Sequence, residues 1–539
     1  MMRSLFFTII AFFTISSNAQ VIEQWTNFHD ASESDIAYDV IADSYNNVIS
    51  VGFTSSPGSK EMYIVKYSPN GSLLWELQNT SLFVAVNVEV DQNDNIIVAG
   101  YSSVDNNTHL TVIKLDADGN LIWKNNEIYA GDDDNSVYLN IPNDGYVYVS
   151  GSVWESPEEM NFYTAKYNEI TGNIEWMQTY NGAYGSSGYD LCKGLTLDEY
   201  GNVYVTGQEQ ISFNESAIKV IKYDNNGNLI WEELTNWVAP SADYRDFDVT
   251  KIEYFNDAVY VAGHYTDTLD FSTFYFDKDF YLIKYNSESG STDWIFEYNR
   301  ALENDRVYDF VIDENNSAFY LCGETYGNNA NSNDMSVVKV DQSGSFVWDV
   351  HYNGTASGSI DGIRSATIDS IGNIYVTGFS QEATGGQDYT TIMYDGSGNQ
   401  IWKIHYQGGY CQANAICLDY NNDVIITGFT TPSMASSQFR TVKYSTATGI
   451  AVSKKNFSEV KVFPNPATDF INLSVESIDV ENITVEIISV NGQILNSKEF
   501  LNTSNIINQN IDLSDLERGI YFLHIFSNNI STTKKLLIR

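Results

Sequence analysis

The sequence predicts an all-β protein in which one four-stranded unit is repeated along most of the chain. Apolar and polar residues alternate with a period of two over short stretches that are rich in Val, Ile and Tyr. Turn residues such as Asp-Gly-Asn separate these stretches, and helical spacing of apolar residues is nearly absent. A tryptophan recurs eight times, at intervals of 48 to 63 residues.

The N-terminus predicts an export signal. Arg3 precedes an apolar stretch at residues 5–15, and small residues place a cleavage site between Ala19 and Gln20. The apolar stretch is too short to cross a hydrocarbon layer of ~30 Å comfortably. We therefore expect residues 1–19 to be removed, and we expect no transmembrane segment in the rest of the chain.

The repeat occupies residues 20–453. Its clearest copy reads LTLDEYGNVYVTG at residues 195–207 and IKYDNNGNLIW at residues 221–231. Each copy contains four strand signals, a Gly that ends the second strand, and a Gly turn followed by Trp. Four strands in a unit of roughly 40 to 55 residues are typical of a β-propeller blade. The repeated tryptophans are Trp25, Trp75, Trp123, Trp176, Trp231, Trp294, Trp348 and Trp402.

The two ends of the array predict that it closes into a ring. The last copy contains Lys443 and Tyr444 but no Trp after them, whereas Trp25 has no copy before it. If the segment around Trp25 pairs into the last unit, exposed sheet edges are removed. The array then has about eight blades, or seven if one weak copy is misread. The long interval before Trp294 predicts an insertion at residues 266–278, on the loop after Gly263.

The repeated residues have architectural explanations. A repeated Trp is expected to pack between neighbouring blades, and a Gly at a strand end suits a bulge or a close backbone approach. Because a functional site usually breaks the symmetry of a repeat, recurrence in every unit favours a structural role.

The units resemble the bacterial β-propeller repeats called SBBP. The pattern D-x-x-G-N-x-Y-V-x-G occurs at residues 198–207 and again at residues 369–378. The resemblance implies the fold and says little about function.

The C-terminal region is a second module. Residues 454–459 read as a polar linker, and the alternating strands of residues 460–539 predict a small Ig-like β-sandwich. This region resembles the type A C-terminal sorting domain of the type IX secretion system of Bacteroidota. The matching positions are Phe463, Pro464, Asn465, Pro466, Ala467, Asn491, Gly492, Leu513, Leu516, Gly519, Ile520, Tyr521, Lys534 and Lys535.

The sorting-domain resemblance implies a route and a destination. It implies passage through the periplasm, export across the outer membrane by the type IX machinery, and removal of the tail near the linker. The protein is then released or attached to the cell surface.

Charge excludes some partners. The chain has 70 acidic and 28 basic residues, a formal net charge of −42, and a pI near 4.2. Nucleic-acid binding needs a basic surface, so it is nearly excluded, and binding to anionic membranes is disfavoured.

The sequence contains no recognisable catalytic or cofactor motif. Six histidines are scattered without HExxH spacing, and no GxSxG or phosphate loop occurs. The four cysteines are expected to be mostly buried free thiols. The acidic stretches at residues 116–120 and 224–228 suit hairpin turns better than calcium loops, although weak calcium binding stays open.

Two propeller enzyme classes were compared with the repeat. The Asp-box motif of sialidases, S-x-D-x-G-x-x-W, has a different spacing between Gly and Trp from that of the repeat. Sialidases also need three arginines in one site, and Arg is rare in this sequence. Residues 171–176 match the T-G-x-x-x-W string of quinoprotein dehydrogenases, but the adjacent Cys-Cys pair typical of those enzymes is absent.

The function predicted from the sequence is non-catalytic binding, adhesion or scaffolding at the cell surface or outside the cell. No catalytic or cofactor residue is assigned, and a monomer with a glycan or surface-protein ligand is expected. The alternative is a secreted polysaccharide hydrolase or lyase with one pair of acids over the propeller channel, since two carboxylates suffice for glycoside hydrolysis. A structural component of the surface layer is a third possibility.

Overall fold

The structure is a computed structural model with two compact units, Met1–Thr448 and Gly449–Arg539. It describes residues 20–30, 34–56, 59–79, 84–104, 107–129, 137–156, 159–184, 188–213, 215–237, 246–270, 275–300, 304–326, 332–356, 358–382, 386–432, 436–447, 459–476, 482–489, 494–501, 506–514, 516, 518–527 and 530–539. The predicted signal peptide, most of the linker, Asn491 and Gly492 lie outside these ranges.

The described regular elements are all β-strands, in agreement with the predicted all-β class. No helix in the described ranges has the length and apolarity to span a membrane. The first unit begins with β1 (Gln20–His29) and continues with four-stranded antiparallel sheets.

The strands of the first four sheets are as follows. Sheet 1 contains β2 (Ile36–Ala42), β3 (Val48–Ser56), β4 (Ser59–Tyr67) and β5 (Leu73–Asn79). Sheet 2 contains β6 (Val84–Val90), β7 (Ile96–Val104), β8 (Asn107–Leu115) and β9 (Leu121–Tyr129). Sheet 3 contains β10 (Val137–Asn140), β11 (Tyr146–Ser156), β12 (Glu159–Asn168) and β13 (Ile174–Tyr180). Sheet 4 contains β14 (Leu191–Leu197), β15 (Val203–Ser212), β16 (Glu215–Tyr223) and β17 (Leu229–Thr235).

The remaining strands of this unit follow the same order. Sheet 5 contains β18 (Phe247–Phe255), β19 (Ala258–Asp270), β20 (Tyr275–Asn286) and β21 (Thr292–Tyr298). Sheet 6 contains β22 (Arg306–Asp313), β23 (Ala318–Tyr326), β24 (Asn333–Asp341) and β25 (Phe346–Tyr352). Sheet 7 contains β26 (Gly362–Ile368), β27 (Ile374–Gln381), β28 (Gln387–Tyr394) and β29 (Gln400–Tyr406). Sheet 8 contains β30 (Tyr410–Leu418), β31 (Val424–Thr431), β32 (Gln438–Ala447) and β1.

The first strands of these sheets lie innermost. Each first strand packs against the first strand of the next sheet, and β30 packs against β2. Sheets 7 and 8 are also joined by one parallel pair, Gln387 with Tyr410. This arrangement of four-stranded sheets is consistent with a β-propeller. We call the space enclosed by the first strands the central channel.

The pairing predicted for the N-terminal segment is confirmed. β1 runs antiparallel to β32, and Trp25 lies opposite Lys443. The same register places Trp75 opposite Lys66 in sheet 1. β1 therefore occupies the place of the fourth strand that the last repeat lacks.

The repeated glycine lies within the second strand rather than at its end as predicted, since the strand stays paired beyond it, and it lies opposite a bulge in the first strand. In sheet 1 the bulge falls between Ala37 and Asp39, opposite Gly52. A Cβ on Gly52 would stand 2.0 Å from the carbonyl oxygen of Ile36, so no other residue fits without moving the backbone. A Cβ would lie 1.9 to 2.1 Å from the equivalent carbonyl oxygen at five other glycines: Gly100, Gly207, Gly323, Gly378 and Gly428.

The predicted insertion at residues 266–278 is largely strand rather than loop. β19 continues to Asp270 and β20 begins at Tyr275, so the extra residues lengthen a hairpin whose strands stay paired to Asp270 and Tyr275. Residues 271–274 lie outside the described ranges. Continued backbone pairing satisfies the amide groups that a free loop would leave to water.

The core of the array lies between neighbouring sheets. One buried cluster, for example, joins Phe280 and Leu282 of sheet 5 to Phe310 and Leu321 of sheet 6. Each fully buried apolar side chain contributes about 1.5–3 kcal/mol. The sheets are therefore held to one another by face-to-face packing as well as by the chain.

The C-terminal unit consists of two sheets around one core. The three-stranded sheet contains β33 (Glu459–Phe463), β34 (Phe470–Glu476) and β37 (Ile506–Asp512). The four-stranded sheet contains β35 (Asn482–Ser489), β36 (Ile494–Leu501), β38 (Gly519–Ser527) and β39 (Ile530–Ile538). Ile471 and Leu473 from the first sheet share one buried cluster with Val485 and Leu523 from the second.

Candidate functional site

The short turns that join the first strand to the second, and the third to the fourth, lie at one end of the array, which we call the turn end. Hydrogen bonds from side chains stabilise these turns. At this turn end, Asp116 accepts hydrogen bonds from the amides of Asp118 and Asn120 and from the Asn120 side chain. Asp224 binds Asn226 and Asn228 in the same way. The carboxylates that suggested calcium loops in the sequence thus organise hairpin turns.

The repeated Trp and Lys side chains connect each sheet to the next. In sheet 1, the Trp75 Nε1–H and the Lys66 ammonium group both donate to the carbonyl oxygen of Ala117 in sheet 2, at 3.0 and 3.1 Å. Lys66 is also 2.8 Å from the carboxylate of Asp43 in its own sheet. Shared acceptors of this kind recur for Trp123 with Lys114, Trp176 with Lys166, Trp231 with Lys222, and Trp348 with Lys339.

The tryptophan rings also cover the turn glycines of the next sheet. A Cβ on Gly119 would lie 2.9 Å from the Trp75 ring, and Gly119 has a positive φ of 84°. The same contact joins Gly71 to Trp25, Gly172 to Trp123, Gly227 to Trp176, Gly290 to Trp231, Gly344 to Trp294, and Gly398 to Trp348. Seven of the eight repeated tryptophans thus pack on the neighbouring sheet.

Trp402 is the exception among these tryptophans. It is buried, and its Nε1–H has no hydrogen-bond partner among the described residues. Its neighbour is sheet 8, whose third and fourth strands, β32 and β1, come from opposite ends of the unit and share no hairpin turn. The residue opposite Trp402 is Met393 rather than Lys. Both departures fall where the ring closes.

The bulge residues of the first strands break the repeat. They are half-buried and vary between sheets, with Tyr in both sheets 1 and 6, whereas the Gly opposite the bulge is repeated. The bulge residues are Tyr38, Val86, Lys193, Thr250, Tyr308, Arg364 and Asn414. Sheet 3 pairs without a shift at this position. The inner rim of the array is thus chemically asymmetric.

The central channel contains interacting acids and a lysine. Asp39 accepts hydrogen bonds from the amides of Val40 and of Val88 in the next sheet. Burial raises its pKa to about 6, and the charge of Asp309 in sheet 6 adds to this effect. Because sheets 1 and 6 are not neighbours, this influence indicates that Asp39 and Asp309 face the same space.

Lys251 partly neutralises these channel acids. Its Nζ lies 3.2 Å from Asp309 and 3.3 Å from Glu253. Burial alone would lower the pKa of Lys251, but the two carboxylates outweigh it and raise the pKa. In sheet 2, burial raises the pKa of Glu89 to about 7, with a contribution from Asp39. The channel therefore holds carboxyl groups that bind protons near neutral pH.

A cluster of aromatic and charged side chains lies at the opposite end from the turns, which we call the loop end. The hydroxyl of Tyr308 donates to Glu324 at 3.1 Å. The guanidinium groups of Arg306 and Arg364 lie 3.6 and 3.8 Å from the two oxygens of the same carboxylate. Arg364 also stacks on the rings of Tyr308 and Phe379, with its Cζ 4.0 and 4.8 Å from their centroids. Sequence reasoning did not identify this cluster.

Buried aspartates hold the connections at the loop end. Asp190 accepts the amides of Gly182 and Gln210 and thereby ties the strand before it to a neighbouring hairpin. Asp305 and Asp361 make equivalent pairs of bonds in sheets 6 and 7. Burial raises the pKa of Asp190 to about 6. These groups fix the loops around the rim.

One of the scattered histidines, His351, belongs to a network of hydrogen bonds in sheet 6. His351 lies 2.7 Å from the Ser336 hydroxyl and 3.0 Å from Asp349. These residue types resemble a nucleophile–base–acid arrangement. Ser336, however, is 0% exposed and shares its hydroxyl with Thr325, so a substrate has no access to it. The arrangement stabilises sheet 6.

The cysteines and the metal-binding residue types form no site within the described ranges. Cys192, Cys322 and Cys411 are buried and Cys417 is half-buried, and all four are free thiols. Burial raises the pKa of Cys192 to about 11, so its thiol stays protonated at neutral pH. A cluster of three or more His, Cys, Asp or Glu suited to a metal ion does not occur in the described part of the chain.

The described sorting-motif residues meet at the last strand. Asn465 donates from its side chain to the Lys535 carbonyl and accepts the amide of Leu537. Ala467 is buried and exchanges backbone hydrogen bonds with Leu537 and Arg539. Leu513 is buried, Gly519 opens β38, and Tyr521 packs against the core. Phe463, Pro464, Pro466, Lys534 and Lys535 are exposed.

Comparison with known families assigns both units in part. Residues 461–539 match the family described as a secretion system C-terminal sorting domain. Residues 92–121 match a domain of unknown function, DUF5122, described as a β-propeller. No curated protein sequence is similar enough to be matched.

Several solved structures are similar to this chain at low identity and with TM-scores under 0.5. Quinohemoprotein alcohol dehydrogenase from Comamonas testosteroni is 10% identical, with a TM-score of 0.48 over 83% of this chain and 79% of that one. Polysaccharide lyase Uly1 is 11% identical, with a TM-score of 0.42 over 67% of this chain and 89% of that one. The β-propeller domain of the Trilobed protease from Pyrococcus furiosus is 12% identical, with a TM-score of 0.37 over 68% and 98%.

These structural likenesses carry no information about activity, so the family matches decide what is assigned. The first unit is an array of four-stranded sheets with a β-propeller match, and the C-terminal region is a sorting domain that indicates export through type IX secretion to the cell surface or the medium.

Proposed function

We propose that this protein is an exported, non-catalytic binding protein of the cell surface or medium. In this proposal the first unit is an eight-bladed β-propeller of the SBBP type, closed by β1, and the C-terminal unit is an Ig-like sandwich. The working form is a monomer that begins at Gln20, and its ligand is a glycan or a surface protein.

The observation that carries the proposal is the asymmetry of the loop end. The turn end repeats the same Asp, Lys, Trp and Gly contacts, whereas the bulge residues at the inner rim are of six types in the seven sheets where a bulge is described. The repeated contacts keep the sheets in the same arrangement, whereas the side chains along one rim vary. Because a varied rim is not symmetric, it can bind a single ligand in one orientation.

The C-terminal unit supports export. Asn465 and Ala467 form hydrogen bonds to the last strand, β39. Lys534 and Lys535 lie on this strand and are exposed. An exposed pair of lysines on a rigid strand suits recognition by the type IX machinery. Removal of the tail in the linker at residues 454–459 fits the two compact units.

Export is tested by truncation in the native host. The chain that ends at Thr448 is expected to remain in the periplasm, whereas the full chain reaches the surface or the medium. Cell fractionation with immunodetection measures the distribution. Export of the truncated chain at the same level would overturn the proposed route.

Binding is tested with the purified full mature chain. We expect retention on envelope preparations or immobilised polysaccharides without the appearance of reducing ends or unsaturated products. Cleavage of any polymer would overturn the non-catalytic assignment, and retention on none of these materials would overturn the binding function.

The channel acids favour one alternative function, a polysaccharide-degrading enzyme. Glycosidases need one protonated and one ionised carboxyl group, and Glu89 and Asp39 have raised pKa values beside Asp309. If the protein cleaves a polymer, Asp39→Asn and Asp309→Asn should each abolish cleavage and leave retention unchanged.

A further inference from the structure

The loop end of sheets 4 to 7 places accessible basic side chains among acids that are mostly buried, such as Asp305, Glu324 and Asp334. Acidic residues outnumber basic ones by 70 to 28 over the whole chain. Nevertheless, Lys193, Arg306 and Arg364 lie near the loop-end starts of three inner strands, and Lys278 lies on β20 near its loop end. This concentration calls for an explanation beyond solubility, which the acids already provide.

Lys278 and Arg306 lie at the junction of sheets 5 and 6, where Lys278 pairs with Asn304. His264 is 5% exposed, and burial lowers its pKa well below the usual range. Lys278, Arg306 and Lys193 lower it further, so all three act on one point between sheets 4, 5 and 6. Two carboxylates lie near Lys278 and partly compensate its charge: Asp246, which also accepts from Gln208 and Ser216, and Asp248, which lies 3.4 Å from the His264 ring.

Arg306 and Arg364 have hydrogen-bonding capacity that the protein does not use. Each guanidinium carries five N–H donors, and both face the single carboxylate of Glu324 at 3.6 and 3.8 Å. That carboxylate already accepts the Tyr308 hydroxyl. The Nε atom of Arg306 is buried and has no hydrogen-bond partner among the described residues.

The two arginines are more exposed than the lysines of the buried ion pairs, whose separations reach 3.8 Å for Lys222 with Asp198. Lys66 with Asp43 and Lys443 with Asp419 are separated by 2.8 and 2.6 Å, and their side chains are 0–3% exposed. Arg306, by contrast, is 40% exposed and more than half an ångström farther from its acid. Glu324 therefore positions the arginines without saturating them.

Aromatic stacking fixes the orientation of Arg364. Its guanidinium lies over the rings of Tyr308 and Phe379, which restricts rotation of the planar group. A guanidinium held in one plane loses less entropy when it binds a carboxylate or sulfate through two parallel hydrogen bonds. The other part of the rim has uncharged residues at the bulge position, Tyr38, Val86 and Asn414.

We propose that the loop end of sheets 4 to 7 binds an anionic polysaccharide, whose acidic groups are bound by Arg306 and Arg364 with support from Lys278 and Lys193. This inference rests on the proposed binding function and adds the chemical class of its ligand. The stacked aromatic rings beside the arginines provide apolar surface for the faces of the sugar rings. Negative charge over the rest of the protein limits such a polymer to this site.

The test uses the mature full chain and three soluble polymers: polygalacturonate, dextran sulfate and neutral dextran. We expect binding to the two anionic polymers, weakening with added salt, and no binding to dextran. The double variant Arg306→Gln/Arg364→Gln should bind at least about tenfold more weakly, because each lost contact is charge-assisted. Lys284→Gln removes a positive charge elsewhere on sheet 5 and serves as the matched control.

A second pair of variants separates binding from folding. Arg306→Lys/Arg364→Lys retains the charge but not the planar fork, and it should recover only part of the affinity. Glu324→Gln removes the competing carboxylate and should strengthen binding of dextran sulfate. Thermal unfolding of each variant verifies that it is folded; if the double Gln variant is not, Arg306→Gln alone replaces it.

The outcomes distinguish this inference from the function on which it rests. Equal binding of anionic polymers by the wild type and the double Gln variant would overturn the site. Binding of neutral dextran alone would overturn the anionic ligand and leave the binding function standing. If none of the three polymers binds while envelope preparations do, the polysaccharide inference fails alone; if those also fail to bind, both fail.

Discussion

Equivalent tryptophans of the repeat have unequal surroundings. Trp75 donates to the Ala117 carbonyl at 3.0 Å and covers Gly119, whereas the Nε1–H of Trp402 has no hydrogen-bond partner among the described residues. The sequence places the two residues in the same repeat position. Their difference arises because sheet 8 is completed by a strand from the other end of the unit.

This difference predicts unequal costs for the same substitution. Trp75→Phe removes a buried hydrogen bond and should cost about 1 kcal/mol more stability than Trp402→Phe, which removes an N–H that is already unpaired. The shift of the chemical denaturation midpoint measures both effects, and Trp123→Phe serves as a second bonded example. Equal shifts for all three variants would contradict the assigned hydrogen bonds.

The channel acid Glu89 predicts a pH dependence of stability. Burial raises the pKa of Glu89 from its ordinary value of 4.5 to about 7, so the folded state binds more protons than the unfolded state between these pH values. Stability from this group is therefore present below pH 4.5 and is lost as pH rises through about 7. Because Glu89 is half-buried, water limits the loss to about 1–3 kcal/mol.

The matched variants are Glu89→Gln in the channel and Glu288→Gln on the surface. At pH 8, Glu89→Gln should be more stable than the wild type, and at pH 4 the two should be nearly equal. Glu288→Gln should follow the wild type throughout. Thermal unfolding across this range is the measurement, and parallel curves for all three proteins would show that Glu89 is not perturbed.

Among single residues, those with repeated roles could be predicted and the candidate binding residues could not. Trp, the second-strand Gly and the turn Asp recur at fixed spacing, and spacing is readable in the sequence. Arg306 and Glu324, by contrast, come from different strands and meet only when the sheet forms. Alignment of the eight repeats could have shown that the bulge position varies, but not which residues lie beside it.

Among the elements, β1 has the largest consequence for the fold. It supplies Trp25, which covers Gly71 and donates to the Pro69 carbonyl of sheet 1. It also pairs with β32 along its whole length. One ten-residue strand therefore completes sheet 8 and joins it to sheet 1.

Removal of β1 is expected to destabilise the whole first unit. A chain that begins at Ser34 leaves one edge of β32 unpaired and Gly71 uncovered, so we expect a lower melting temperature and aggregation through the open edge. A synthetic peptide with the sequence of residues 20–29 should restore part of the stability in trans. Deletion of residues 449–539, which form a separate unit, is the control.

Circular dichroism during heating measures this effect. A chain without β1 that melts at the wild-type temperature would show that the ring does not depend on its closing strand. Failure of the peptide to raise the melting temperature of an otherwise folded variant would contradict the assigned pairing with β32.

At the scale of the whole molecule, acidic residues predominate, but basic residues lie together near one part of the loop end. The acid excess keeps the array soluble and repels polyanions in general, whereas the cations near the loop end of sheets 4 to 7 form a local exception. The C-terminal unit carries its own core and the sorting residues. In the proposed function, binding therefore belongs to the array and export to the C-terminal unit.

The sequence by itself determined the all-β class, the repeating four-stranded unit, the return of the Trp25 segment to the last repeat, and the sorting domain. Each of these follows from local periodicity or from motifs in which the order of residues along the chain is the signal. Only the tertiary structure decided which residues share the channel and the rim, because bulges, half-buried side chains and contacts between non-neighbouring sheets depend on how the sheets pack. Asp39 near Asp309, and Arg306 beside Arg364, are brought together by that packing rather than by any spacing in the chain.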